Sequence, residues 1–260
     1  MTTLPFFHVD AFAHRPFSGN PAAVMPLDAW LDDATLQAIA EENNLAETAF
    51  TIPATGDADY ELRWFTPTVE VALCGHATLA SGHVLIGDKD VVRFRTRQSG
   101  ILSVARDGDG YRLSLPIWRV AAKPLPGIVA ALGGDPIETL WHEAGYSLIR
   151  YADEAAVRAL KPDYRALQPL GDFLYIATAP GTETDIVSRA FAPGAGIDED
   201  PVTGSAHAIL TPYWAERLGR DSFTAYQASR RGGYVTCRLD GDRAILGGAC
   251  RTVIEGRFAI

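Results

Sequence analysis

The sequence predicts an α+β fold made of two similar halves, each a β-sheet rolled around one buried central helix. Three observations support this prediction. A loop of small residues leads into an apolar stretch twice, first at Cys74–Ala77 and again, 129 positions later, at Thr203–Ala206. Phe65–Pro67 before the first loop is matched by Phe191–Pro193 before the second. An Asp-Gly-Asp turn follows each apolar stretch, and this matched order indicates an internal duplication.

The first half, residues 1–118, is predicted to consist mainly of strands around a central helix over residues 76–86. That stretch carries Ala, Leu and Val on nearly every side, so the helix should be buried rather than amphipathic. An aspartate cap at Asp32 or Asp33 predicts an earlier helix that ends at about Asn43. Alternating apolar residues between turn signals predict strands at Pro5–Phe12, Ala22–Met25, Phe50–Ile52, Tyr60–Phe65, Val91–Arg95, Gly100–Arg106 and Tyr111–Leu115.

The second half, residues 119–260, is predicted to begin near Pro116–Pro126, where three prolines interrupt the pattern. Its central helix is expected over residues 205–218. The remaining elements predicted here are outer helices at Asp153–Leu160 and Glu183–Ala190 and a strand at Phe173–Ala177. Because both central helices begin at a repeated loop, the active site is expected in the cleft between the two halves.

The composition narrows the possible classes of function. The 260-residue chain has a net charge of −9, whereas phosphate binding needs clustered Lys and Arg, so no nucleic-acid partner is expected. No apolar stretch approaches the ~18 residues needed to span a bilayer, and no secretory signal is visible, so no membrane partner is expected either. Cys74, Cys237 and Cys250 are an odd number at wide spacing, which favours a reduced, cytoplasmic setting. No H-E-x-x-H spacing occurs, and no zinc site is predicted.

Both repeated loops place small residues at the start of a buried helix. The unpaired N–H groups and partial positive charge of a helix N-terminus suit a substrate carboxylate or an enolate. The candidate substrate-binding residues are therefore Gly75, Ala77, Thr203 and Gly204. The alternative is structural, since small residues at these positions also let each helix pack tightly.

Four polar side chains are candidates for the chemistry. His76 and Ser205 occupy equivalent places in the two loops, and a helix start should lower the pKa of His76 and leave a neutral imidazole able to donate or accept a proton. Asp200 lies five residues before Ser205 and can turn towards the same site, although an acidic residue there also complements the helix dipole. Glu47 lies between a polar turn and an apolar strand, so it is either a partly buried general base or a surface residue at a strand edge.

Cys74 requires separate consideration. Cofactor-free racemases of the two-cysteine type need one thiol from each half, yet the position paired with Cys74 is Thr203. Two-thiol racemisation is therefore disfavoured, and Cys74 is interpreted as a small buried residue rather than a nucleophile.

Five segments together resemble the PhzF, or phenazine biosynthesis-like, family, which shares the diaminopimelate epimerase fold. The segments span essentially the whole chain, and they are Asp10–Val24, Asn44–Phe50, Phe65–Thr78, Asp200–His207 and Gln227–Gly233. The resemblance implies two pseudo-symmetric domains with the active site between them, and a homodimer.

The resemblance also implies an activity. The characterised biosynthetic member of the family isomerises trans-2,3-dihydro-3-hydroxyanthranilate without metal or cofactor. The motif residues of that protein are matched in this sequence by Glu47, His76, Asp200 and Ser205. The resemblance implies that Glu47 is the general acid/base and that the other three line the substrate site. We therefore expect a cofactor-independent isomerase acting on a small cyclic or amino-acid-like carboxylate. Two alternatives remain open at this point: an amino-acid racemase or epimerase, and a non-catalytic binding protein on the same fold.

Overall fold

A computed structural model describes residues 2–260 and divides the chain into two units. The first unit consists of the described part of Met1–Leu115 together with Gly247–Ile260, and the second is Pro116–Leu246. Both combine strands and helices, which confirms the predicted α+β class. Within the described residues, no helix is long and apolar enough to cross a membrane.

The first unit contains nine strands and two helices among its described residues. The strands are β1 (Thr3–Ala11), β2 (Asn20–Pro26), β3 (Glu47–Pro53), β4 (Tyr60–Phe65), β5 (Glu70–Val71), β6 (Val91–Thr96), β7 (Ile101–Asp107), β8 (Gly110–Pro116) and β18 (Cys250–Ala259), and the helices are α1 (Asp33–Asn43) and α2 (Gly75–Leu85). Helix α2 is buried from Gly75 to Gly82 and packs on β1, β2, β3 and β7. Gly82 permits this packing, because a Cβ there would collide with the side chain of Val104 in β7.

The second unit is built around α6 (Gly204–Leu218). Its other helices are α3 (Pro126–Leu132), α4 (Glu154–Ala159) and α5 (Tyr164–Leu167), with 3-10 turns at Gln168–Leu170 and Pro193–Ala195. Its strands are β9 (Ala121–Ala122), β10 (Glu138–His142), β11 (Tyr146–Arg150), β12 (Leu174–Pro180), β13 (Ile186–Ala192), β14 (Ile197–Asp200), β15 (Ser222–Gln227), β16 (Gly233–Asp240) and β17 (Arg243–Gly248). Most of α6 is buried, and it packs against β16.

The two units repeat one pattern of strand pairing. In the first, β2 and β3 are parallel, β3 and β4 antiparallel, β4 and β6 parallel, and β6 and β7 antiparallel. In the second, the same order of pairings joins β11, β12, β13, β15 and β16. Phe65 and Phe191 are equivalent positions of the repeat; Thr48 pairs with the first and Tyr175 with the second. Thr48 and Tyr175 are therefore equivalent, and so are the residues before them, Glu47 and Leu174.

Two predictions from the sequence need correction. The outer helix predicted at Glu183–Ala190 is wrong, because Ile186–Ala192 forms strand β13 between β12 and β15. Pairing on both sides of this buried strand overrides its local helical pattern. The predicted second half, residues 119–260, also extends too far at its C-terminal end. Residues 247–260 belong to the first unit, because β18 pairs with β1 from Ala11 back to Thr3.

Candidate functional site

Glu47 and His76 form a buried pair in the first unit. Glu47 is the first residue of β3 and His76 the second residue of α2, so the strand edge and the helix start bring them together. Glu47 Oε2 lies 3.0 Å from His76 Nε2, and the two side chains are only 12% and 5% exposed. A carboxylate and an imidazole held together away from water are the components of an acid/base site.

The other nitrogen of His76 has two neighbours. Asn20 Nδ2 lies 3.1 Å from His76 Nδ1, and Cys74 Sγ lies 3.5 Å from the same atom. Asn20 begins β2 directly after Gly19, whose φ of +75° and crowding against the Ala11 carbonyl oxygen both require glycine. The tight turn therefore places the Asn20 amide beside the ring.

The protonation of His76 differs from the sequence expectation. Burial alone lowers the pKa of the imidazole, but the Cys74 sulfur and the Glu47 carboxylate raise it well above its ordinary value. Burial raises the pKa of the Cys74 thiol to about 11, so the sulfur is uncharged at neutral pH. The Glu47 carboxylate is therefore the main cause of the raised His76 pKa. The expected lowering of the His76 pKa was wrong, because a carboxylate 3.0 Å away outweighs the partial charge of a helix terminus.

Glu47, Cys74 and His76 also form a set of donors that could hold a metal ion. One ligand atom from each lies within 4.8 Å of the others. Carboxylate oxygen, thiolate sulfur and imidazole nitrogen are the donors that zinc takes. No motif in the sequence marked this cluster, because Glu47 comes from a strand remote in sequence from the Cys-Gly-His loop.

The second unit holds a different network at the start of α6. Asp200 ends β14, and its carboxylate accepts a hydrogen bond from the Thr203 hydroxyl. The fully buried Gln227 accepts from the Thr203 N–H at 2.9 Å and donates to the Asp200 carbonyl oxygen at 2.7 Å. The Thr203 carbonyl oxygen lies 2.8 Å from His207 Nδ1. The hydroxyl, the N–H and the carbonyl of Thr203 are therefore all hydrogen-bonded within the second unit.

Ser205 has an aromatic neighbour that the sequence reasoning missed. The Tyr146 and Ser205 side chains are hydrogen-bonded, and burial raises the pKa of Tyr146 so that its hydroxyl stays neutral. The Tyr146 ring stacks on Trp118 with centroids 5.4 Å apart. Tyr146 starts β11, where it pairs with Leu174, and no motif in the sequence marked that strand.

The eight predicted site residues fall into two groups, one in each unit. Glu47, Gly75, His76 and Ala77 lie together in the first, and Asp200, Thr203, Gly204 and Ser205 lie together in the second. Neither Cys74 nor Thr203 caps its helix with a side-chain hydrogen bond. The first-turn N–H groups of both helices therefore lack the usual side-chain cap.

Comparison with known proteins identifies close relatives. A family model described as phenazine biosynthesis-like protein (PhzC-PhzF) matches residues 9–124 and 130–256. An uncharacterized isomerase of Pseudomonas aeruginosa is 49% identical over 258 residues, which is 97% of this chain and 98% of that protein. The crystal structure of a PhzF-family phenazine biosynthesis protein from Enterococcus faecalis is similar with a TM-score of 0.93 at 42% identity, covering 100% of both chains. A hydroxyproline epimerase from Agrobacterium vitis shares the fold, with a TM-score of 0.65 at 13% identity over 98% of this chain and 92% of its own.

Proposed function

Because the chain belongs to the phenazine biosynthesis-like (PhzC-PhzF) family, we propose that it is an isomerase that moves a proton on a small carboxylate substrate by acid/base catalysis. The observation that carries the proposal is the buried Glu47–His76 pair, with its 3.0 Å separation. A carboxylate largely removed from water, with an imidazole beside it, is the arrangement that general acid/base catalysis uses.

In the proposed reaction, the Glu47 carboxylate removes a proton from an acidic C–H next to a conjugated system. The electron pair delocalises into that system, and the Glu47 carboxylic acid returns the proton to a conjugated carbon on the same face. One residue serves both proton transfers, so the reaction needs neither a second base nor a cofactor. His76, 3.0 Å from Glu47, orients the carboxylate for both transfers.

The proposal gives the second unit a binding role. Asp200, together with His76, would hold amino or hydroxyl groups of the substrate, and Ser205 would contact it directly. The helix starts at Gly75, Ala77, Thr203 and Gly204 would favour its carboxylate and developing negative charge. The substrate class is a cyclic or amino-acid-like carboxylate, of which trans-2,3-dihydro-3-hydroxyanthranilate is one candidate. The family resemblance extends the proposal to a homodimer in the cytoplasm.

Exchange of substrate hydrogen with solvent deuterium tests the proposal. Cyclic unsaturated carboxylates and amino acids would be incubated with the protein in deuterated buffer containing a chelator, and incorporation read by NMR. We expect exchange for one of these classes, and a fall of about 10²- to 10⁴-fold in its rate in Glu47→Gln. The matched control is Glu41→Gln, an exposed position on α1, which should behave as wild type.

Two results would contradict the proposal. Exchange that persists in Glu47→Gln would remove Glu47 as the proton carrier. Exchange that occurs only when the chelator is left out would show that a metal, rather than the carboxylate and imidazole alone, drives the reaction. Glu47→Asp retains a carboxylate on a shorter side chain, so partial activity there would separate a chemical loss from misfolding.

A further inference from the structure

We propose that Glu47, Cys74 and His76 form a site for a single thiophilic divalent cation, with zinc as the reference ion, and that its occupancy blocks the acid/base pair. The blocking part of this inference rests on the proposed function, whereas the binding part does not. The site needs no rearrangement of the fold, because one donor atom from each residue already lies within 4.8 Å of the others.

Two buried atoms at this site lack a hydrogen-bond partner. Glu47 Oε2 and His76 Nε2 face each other at 3.0 Å, and among residues 2–260 neither meets a hydrogen-bond partner in good geometry. Buried polar atoms are normally satisfied, and each exception calls for a ligand or a function. A cation between the donors would satisfy the carboxylate oxygen and an imidazole nitrogen together.

The charges at the site suit a doubly charged ion. Glu47 supplies one negative charge, and the Cys74 thiol supplies a second when its proton leaves to solvent as the metal binds. The sum of cation, thiolate and carboxylate is zero, which avoids leaving a net charge in a buried position. His76 also releases its second ring proton to solvent and contributes a neutral nitrogen, and a water molecule would complete a tetrahedral shell.

The donor set also selects among cations. Thiolate and imidazole favour zinc and its neighbours, whereas magnesium and calcium prefer shells of oxygen alone. Bound zinc would coordinate the Glu47 oxygen that faces His76, and it would also coordinate the lone pair of an imidazole nitrogen. Proton abstraction by Glu47 would then stop, so the same three residues would hold either a proton-transfer pair or a metal.

Cobalt(II) provides a direct probe, because a thiolate ligand gives it a charge-transfer absorption that oxygen and nitrogen ligands do not give. The full-length, chelator-treated protein would be titrated with cobalt(II) under a non-thiol reductant. We expect one equivalent to produce the band, and zinc added afterwards to remove it. The band should be absent in Cys74→Ser and in Cys74→Ala, and the affinity should fall at least about tenfold in Glu47→Gln and His76→Gln.

Cys237→Ser is the matched control, since Cys237 is also a buried free thiol but lies in the second unit. It should keep the band. Absence of the band in wild type, or its survival in both Cys74 variants, would overturn the proposal. Magnesium competing as well as zinc would also overturn it, because that would indicate a site of oxygen ligands.

Inhibition is measured separately, with the deuterium exchange assay. Zinc should abolish exchange in wild type. For each protein, the rate is expressed relative to its own metal-free rate. The zinc concentration that halves this relative rate should be at least about tenfold higher in Cys74→Ser than in wild type. The cobalt spectrum needs no substrate, so a protein without isomerase activity can still show the site. Conversely, active protein without the band would leave the proposed function standing and remove the metal site.

Discussion

The starts of α2 and α6 occupy the same place in two repeated units, yet they carry different chemistry. At α2, the loop residues Cys74 and His76 face Glu47 across a buried, titratable cluster. At α6, the equivalent residues Thr203 and Ser205 hydrogen-bond to polar groups of the second unit, and neither side chain is acidic or basic. The repeat has preserved the backbone frame and changed the side chains on it.

The difference is sharpest at the strand beside each helix. Strand β3 presents Glu47, and the matching register of β12 presents Leu174. A leucine can neither take nor return a proton, so a second acid/base centre is absent from the equivalent position. The comparison predicts a division of labour, in which the first unit transfers the proton and the second unit binds and orients the substrate.

Matched substitutions at the two equivalent positions give the largest expected effect. His76→Gln should lower the turnover number for deuterium exchange by about 10²- to 10⁴-fold, because the imidazole that lies against the Glu47 carboxylate is lost. Ser205→Ala should mainly raise KM, by about tenfold or less, because it removes one hydrogen bond. Steady-state kinetics on both variants check the contrast.

The division of labour would be broken by the opposite pattern. If Ser205→Ala lowered turnover as much as His76→Gln did, both helix starts would take part in the chemistry. Circular dichroism and thermal unfolding of each variant serve as controls for folding. Tyr146→Phe should resemble Ser205→Ala, since it removes the partner of the same hydroxyl.

The two buried histidines should respond to pH with opposite signs. Burial lowers the pKa of His207 to about 4, so the unfolded chain binds a proton more readily than the folded chain between that pH and about 6.5. Falling pH therefore destabilises the wild type through His207, by up to about 3 kcal/mol. The pKa of His76 is raised in the folded state, so its contribution is present below about pH 6.5 and is lost as the pH rises further.

Urea unfolding across this pH range measures the sign of the pH dependence that each histidine contributes to the free energy of unfolding. The free energy of unfolding of His207→Gln, relative to wild type, should increase as the pH falls from about 6.5 to about 4. That of His76→Gln should instead increase, relative to wild type, as the pH rises above about 6.5. Parallel profiles for the two variants would show that Glu47 does not hold the proton on His76.

The sequence was sufficient for the elements that repeat and insufficient for contacts between remote segments. The spacing between Gly75 and Gly204 located both central helices to within one residue. Strand β13 was mistaken for a helix, because only its pairing with β12 and β15 distinguishes the two. The direction of the His76 pKa depends on Glu47, which the helix start alone does not reveal. Asn20 and Tyr146 were missed because the side chains that they contact, His76 and Ser205, lie far along the chain.

The smallest expected effect concerns Cys74, and it separates the isomerase from a racemase. Burial raises the pKa of the thiol to about 11, and the equivalent position of the repeat is Thr203 rather than a second cysteine, so the thiol is uncharged and has no counterpart thiol in the repeat. Cys74→Ser should therefore keep metal-free exchange within about tenfold of wild type, a cost below about 1.4 kcal/mol that reflects the lost contact with His76 Nδ1. Cys237→Ser, a buried thiol in the second unit, controls for the general effect of the substitution. A racemase would instead interconvert enantiomers and lose that activity in Cys74→Ser alone, because its thiol would carry the proton that Glu47 carries in the isomerase.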